Sequence, residues 1–140
     1  MASQITVSKF LTSSFGGAPM RMDSSTAASP TSFHQTETIG SDKQQMVFLE
    51  VHNNDNSRVP FVIYWMPNEI AAGTGNSAAT RYNIAPFETL VISNGRRIGQ
   101  SFNEGGISDG SAFSGYVENV ADIDKLRVIG HIIELDQSGI

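Results

Sequence analysis

From residue 36 onward the chain is a series of short apolar, β-branched runs separated by turn residues, and no segment of ten or more residues carries a 3.6-residue period. That pattern restricts the fold to an all-β arrangement. Gln45 to His52 (QMVFLEVH) alternates, with Val47, Leu49 and Val51 on one face and Met46, Phe48, Glu50 and His52 on the other. A polar turn, Asn53 to Val59, leads into PFVIYWM (residues 60–66), apolar throughout and too short for an ordinary helix, which reads as a central strand opened by Pro60. After a long loop (67–79), Thr80 to Ile84 and Phe87 to Ile92 are strand-like, and Asn94-Gly95 predicts a tight hairpin with Arg96 to Phe102 as the partner strand. Ser111 to Val117 and Leu126 to Leu135 close the series, and Val117 to Lys125 holds at most one helical turn. About seven or eight strands at this spacing predict an antiparallel β-sandwich, jelly-roll-like. The expected core is Val47, Leu49, Val51, Phe61, Ile63, Trp65, Leu90, Ile92, Phe113, Val128 and Ile132.

Residues 1–34 differ in composition. Ser, Thr, Ala, Gly and Pro make up 20 of the 34, and the few apolar side chains are scattered without period. A segment of this kind cannot offset its ordering entropy alone. It is therefore expected to be an irregular Ser/Thr/Ala-rich arm (1–34) preceding a sandwich domain (35–140), with Phe10, Leu11, Phe15 and Phe33 as anchors on a neighbouring subunit.

With 140 residues, a single domain can bury roughly 68–70% of its unfolded surface. The absence of cysteine excludes disulfides, thiolate metal sites and thiol nucleophiles. A formal net charge of −5 disfavours nucleic acid as a partner, and no apolar run approaches the ~18 residues of a membrane span. The N-terminus lacks a signal-peptide pattern, so synthesis in the cytoplasm is expected.

Candidate chemistry is sparse. Gly106 to Gly110 (GISDG) matches the G-x-S-x-G nucleophile elbow, but neither the buried strand nor the helix that the elbow requires flanks it. Gly73 to Ala78 mimics a dinucleotide loop without a βαβ unit around it. Both read as Gly-rich loops. His34, His52 and His131 are isolated, so no transition-metal site is expected, and His131 reads as a packed imidazole on the face of Ile129 and Ile133. Asn53, Asn54, Asp55 and Asn56, or Glu118, Asp122 and Asp124, supply hard oxygens suited to calcium but lack a full binding-loop pattern. They are read as turn formers. Arg96-Arg97 forms a small cationic feature suited to carboxylates of an adjacent subunit. No cofactor is expected, and no enzyme activity.

The order of elements VFLEVHNNDNSRVPFVIYW, RYNIAPFETLVI and LRVIGHIIEL resembles small bacteriophage β-sandwich accessory virion proteins over roughly residues 36–135. The residues that carry it are IAPFETL (Ile84 to Leu90) and VIGHIIE (Val128 to Glu134). The resemblance implies a non-enzymatic structural protein located in the virion. Its most concrete form is a capsid decoration (cement) protein that binds between major capsid subunits and forms a homo-oligomer, with a trimer favoured. A head-tail, collar or tail-fibre component is the near alternative. A carbohydrate-binding module using Tyr64 or Trp65 with Asn53, Asp55 and Asp109 is the competing class.

Overall fold

The computed structural model describes residues 5–35, 43–67, 78–99 and 111–136. The strands are β1 (Ile5–Phe10), β2 (Met20–Arg21), β3 (Thr31–Gln35), β4 (Lys43–Asn53), β5 (Val59–Pro67), β6 (Ala78–Ile84), β7 (Thr89–Gly99), β8 (Ser111–Val117) and β9 (Leu126–Asp136). One sheet has the order β1-β9-β4-β7, with the two-residue β2 also pairing β9, and the other has the order β3-β8-β5-β6. Every pairing is antiparallel. Setting β2 aside, the chain changes sheet at every connection except β5 to β6, which produces the two interlocked Greek keys of a jelly roll. The expected all-β sandwich is the observed fold.

Alternation along the long strands builds the core. On β4, Gln45, Val47, Leu49, Val51 and Asn53 are all buried, and on β9 Leu126, Val128, Ile132 and Glu134 form the facing row. Gly130 occupies the remaining inward position of β9 because a Cβ there would collide with the Phe48 carbonyl oxygen and crowd Leu11 and Leu49. The uninterrupted apolar run of β5 is buried on both faces, with Phe61 and Ile63 inward and Val62 and Tyr64 also covered. The expected core residues Val47, Leu49, Val51, Phe61, Ile63, Phe113, Val128 and Ile132 are buried, and Leu90 and Ile92 pack against them partly exposed. The Trp65 side chain lies outside the described residues.

The structure corrects two of the expectations. Residues 5–35 do not form an arm apart from the sandwich. β1 pairs β9 from Ile5↔Asp136 to Phe10↔His131, β3 pairs β8, and Leu11, Met20, Met22 and Phe33 belong to the core. The physical reason is position. β1 and β3 are edge strands, where each contributes only a few inward side chains and Ser or Thr serves on the solvent side. Such strands need no apolar run, so composition alone does not reveal them.

The second correction concerns Asn94-Gly95, which does not turn a hairpin. β7 continues through it opposite β4, and Gly95 is the extra residue between the pairs Phe48↔Asn94 and Val47↔Arg96. Its φ of +94° explains the glycine, because the bulge needs the same left-handed backbone that a tight turn would. The Ser93 hydroxyl stabilises the bulge by donating to the Val47 carbonyl (2.7 Å) and accepting from the Arg96 amide (3.2 Å). A second register shift follows, with Ile92 extra between Leu49↔Ser93 and Glu50↔Val91.

Candidate functional site

The outer face of the β1-β9-β4-β7 sheet is where exposed apolar side chains gather. Cross-strand register places Phe10, His131, Phe48 and Asn94 in one row across all four strands. Phe48 and His131 stack with ring centroids 4.7 Å apart and planes within 4°. The next row holds Ile129, Glu50 and Val91. Between the two rows lies a hollow of about 380 Å³, walled by Phe48, Glu50, Val91, Asn94, Ile129 and His131. A second hollow of about 340 Å³ is lined by Ser8, Lys9, Phe10 and His131. Val91 is 58% exposed and Phe10 61%, so this sheet offers solvent a hydrophobic strip rather than the polar outer face of a solitary sandwich.

Phe10 holds its position against the turn that follows β1. Its ring lies over Gly17, where a Cβ would fall 2.6 Å from a ring carbon and where φ is +83°. The same turn presents Phe15, 95% exposed, with the Ala18 amide donating to the Phe15 carbonyl (3.1 Å). Of the four expected anchors, then, Phe10 and Phe15 face solvent, whereas Leu11 and Phe33 are core residues with no surface to offer a partner. Arg96 is exposed on the bulge, away from the Phe15 turn in the chain, and the Arg97 side chain lies outside the described residues.

A buried polar chain that sequence reading missed crosses the interior between the sheets. The Thr12 amide donates to His34 Nδ1 (3.1 Å), which leaves the ring proton on Nε2. Nε2 meets Gln45 Oε1 at 2.5 Å, Gln45 Nε2 donates to Glu134 Oε2 (2.8 Å), and Lys9 Nζ pairs with Glu134 Oε1 (2.9 Å). His34, Gln45 and Glu134 are each buried. Burial lowers the His34 pKa below its ordinary 6.5, against the hydrogen bond to Gln45 Oε1, which raises it. The signal available in sequence was weak. Gln45 and Glu134 share the inward parity of Val47 and Ile132, but a polar residue at a strand's end normally reads as its solvated terminus.

In the candidate calcium loops, Asn53, Asp55, Glu118 and Asp122 are engaged by protein contacts. Asn53 is fully buried and its Nδ2 donates to the carbonyls of Ser57 (2.7 Å), Ala85 (3.1 Å) and Ile84 (3.4 Å), while its Oδ1 accepts from the Asp55 amide (3.0 Å). Lys125 bridges Asp122 Oδ1 (3.1 Å) and Asp55 Oδ2 (3.3 Å), and Arg81 pairs with Glu118. Those bonds raise the Lys125 pKa; the Ser57 hydroxyl, with Lys125 behind it, lowers that of Asp55. Among the described residues no three His, Cys, Asp or Glu side chains converge on a metal-sized site. The sugar platform expected at Tyr64 is not available either, since that ring is buried beside Tyr116 with centroids 5.9 Å apart. Gly73 to Ser77 and Gly106 to Gly110, including Asp109, lie outside the described residues.

Comparison with known proteins identifies the fold. No family model and no curated protein matches the sequence. Among solved structures, a chain from the crystal structure of the IBDV viral particle superposes with a TM-score of 0.50 at 10% identity, covering 99% of this chain. This chain shares that chain's jelly-roll fold. It spans about a third (32%) of the IBDV chain. Two structures of tobacco streak virus coat protein also align, with TM-scores of 0.46 and 0.47 at 11% and 12% identity. They cover 95% and 96% of this chain, which spans 85% and 86% of theirs.

Proposed function

We infer that this chain is a non-enzymatic structural protein of a virus particle. The observation that carries the reading is the complete two-Greek-key jelly roll, shared over nearly the whole chain with a viral particle subunit and bearing an apolar strip on one outer sheet face. Fold is an associational warrant for function, and the strip supplies the physical one: exposed Phe10, Val91 and Ile129 gain by burial against another protein surface. The specific form we favour is a bacteriophage decoration protein that seats on major capsid subunits as a homo-oligomer, with a trimer preferred. Repetition of weak contacts on a symmetric shell then multiplies the affinity of each one. A detachable arm has no part in this reading, because β1 and β3 are sheet strands and Leu11 and Phe33 belong to the core.

Co-sedimentation of the purified chain with assembled capsids tests the proposal. Wild type is expected to pellet with shells, and Ile129→Ser combined with Val91→Ser to remain in the supernatant while keeping the wild-type melting temperature. A wild-type chain that stays soluble beside capsids, tails and collars alike would sink it.

A second reading, glycan recognition, is favoured by the 380 Å³ hollow, whose stacked Phe48–His131 wall stands beside Glu50 and Asn94. An aromatic face with a carboxylate and an amide nearby suits a sugar ring. Saturable glycan-array binding abolished by Glu50→Ala would establish it over the first.

A further inference from the structure

We propose that His34 is the latch of an acid-sensitive switch: its neutral imidazole holds the turn after β1 against β3, and its protonation frees that turn together with the Phe15 side chain it presents. The geometry is directional. Thr12 can donate to Nδ1 only while that nitrogen carries a lone pair, and an imidazolium would point N–H at N–H. The turn has one further backbone tie to β3, from the Ser13 amide to the Phe33 carbonyl (3.2 Å), adjacent in the chain to the bond that protonation removes. Within the turn, Ser14 donates to the Leu11 carbonyl and the Ala18 amide to the Phe15 carbonyl. Loss of the Thr12 bond therefore acts on the stretch between Leu11, fixed in the core, and the exposed Phe15.

The surroundings decide how readily the latch protonates. From β4 the ring meets neutral Gln45, from β8 the Phe113 ring at 5.6 Å, and from β1 and β9 the charges of Lys9 and Glu134. Lys9 opposes the imidazolium and Glu134 favours it, whereas burial, the strongest influence, opposes it. The neutral latch is accordingly the state at neutral pH, and opening belongs to the acid side of 6.5. At the other end of the relay, Gln45 keeps its Nε2 bond to Glu134 whichever state the ring adopts, so the core need not open with the turn. This inference is independent of the function proposed above.

Amide hydrogen exchange on the ¹⁵N-labelled full chain, followed by NMR between pH 8 and 4.5 with the His34 ring resonance recorded in the same samples, tests it. Exchange at Thr12 and Ser13, corrected for intrinsic rates, should accelerate about tenfold or more with the midpoint of His34, the factor expected for one lost hydrogen bond. Amides of Val51 and Ile132 should not follow. Glu134→Gln should move the midpoint to lower pH and Lys9→Met to higher pH, a pair of opposite shifts that a purely structural role would not produce. His34→Gln should abolish the dependence, and if that variant does not fold the wild-type titration still decides. Thr12 exchange that is unchanged while His34 titrates, or core amides that open in step with Thr12, would overturn the latch.

Discussion

Asn53 shows how one residue can tie two turns together. It ends β4, lies fully buried, and donates to carbonyls of both the β4–β5 turn and the β6–β7 turn while its own amide donates to the Glu88 carbonyl (2.9 Å). Asn53→Ala strands buried carbonyls as well as removing bonds, so a loss of roughly 2–4 kcal/mol is expected in urea unfolding, whereas exposed Asn54→Ala should be near neutral. His34 contributes a pH dependence of definite sign. Because burial lowers its folded pKa below 6.5, the unfolded chain binds the proton more readily. Its contribution to stability is complete above pH 6.5 and is lost as the pH falls below that value toward the folded pKa. The urea midpoint of wild type should therefore fall relative to His34→Gln as the pH drops from 7 to 5. A constant difference between the two proteins would contradict the assignment.

Among the elements, β7 best separates what the sequence reveals from what it conceals. Asn94-Gly95 correctly signalled positive φ, but a hairpin and a bulge make the same demand at that residue, and only the pairing partner distinguishes them. The partner is β4, some forty residues earlier, and no local pattern encodes that distance. For the same reason the strands with strong alternation, β4 and β9, were legible to their inward residues, whereas β1 and β3 were not, being edges whose inward rows reduce to a few side chains each. The His34–Gln45–Glu134 chain was hidden more deeply still, since it joins residues 11 and 89 positions apart whose polarity argued for solvent. Gly95→Ala forces an L side chain into the left-handed region and should cost about 1–2 kcal/mol in thermal or urea unfolding. There is van der Waals room against Phe48 for the added methyl, so the penalty should be conformational, and Gly95→Asn should recover part of it.

For the whole molecule the decisive question is whether residues 1–34 are separable, because a decoration protein with a detachable arm and a jelly roll built from its first strand behave oppositely on truncation. In the structure, β1 covers the edge of β9, β3 covers the edge of β8, and Leu11, Met20, Met22 and Phe33 supply buried apolar surface. Each such side chain is worth about 1.5–3 kcal/mol of burial. Four of them rival the 5–15 kcal/mol that a domain of this class has in total. Deletion would also take His34 from Gln45 and Lys9 from Glu134, removing two links of the buried polar chain. The chain lacking residues 1–34 is thus expected to lose cooperative unfolding and to aggregate through the exposed edges of β8 and β9. Limited proteolysis of the intact protein should correspondingly spare the segment from Ile5 to Gln35. A truncated chain that melts cooperatively near the wild-type temperature, or rapid clipping within β1 or β3 in the isolated protein, would show that these strands are not integral to the fold.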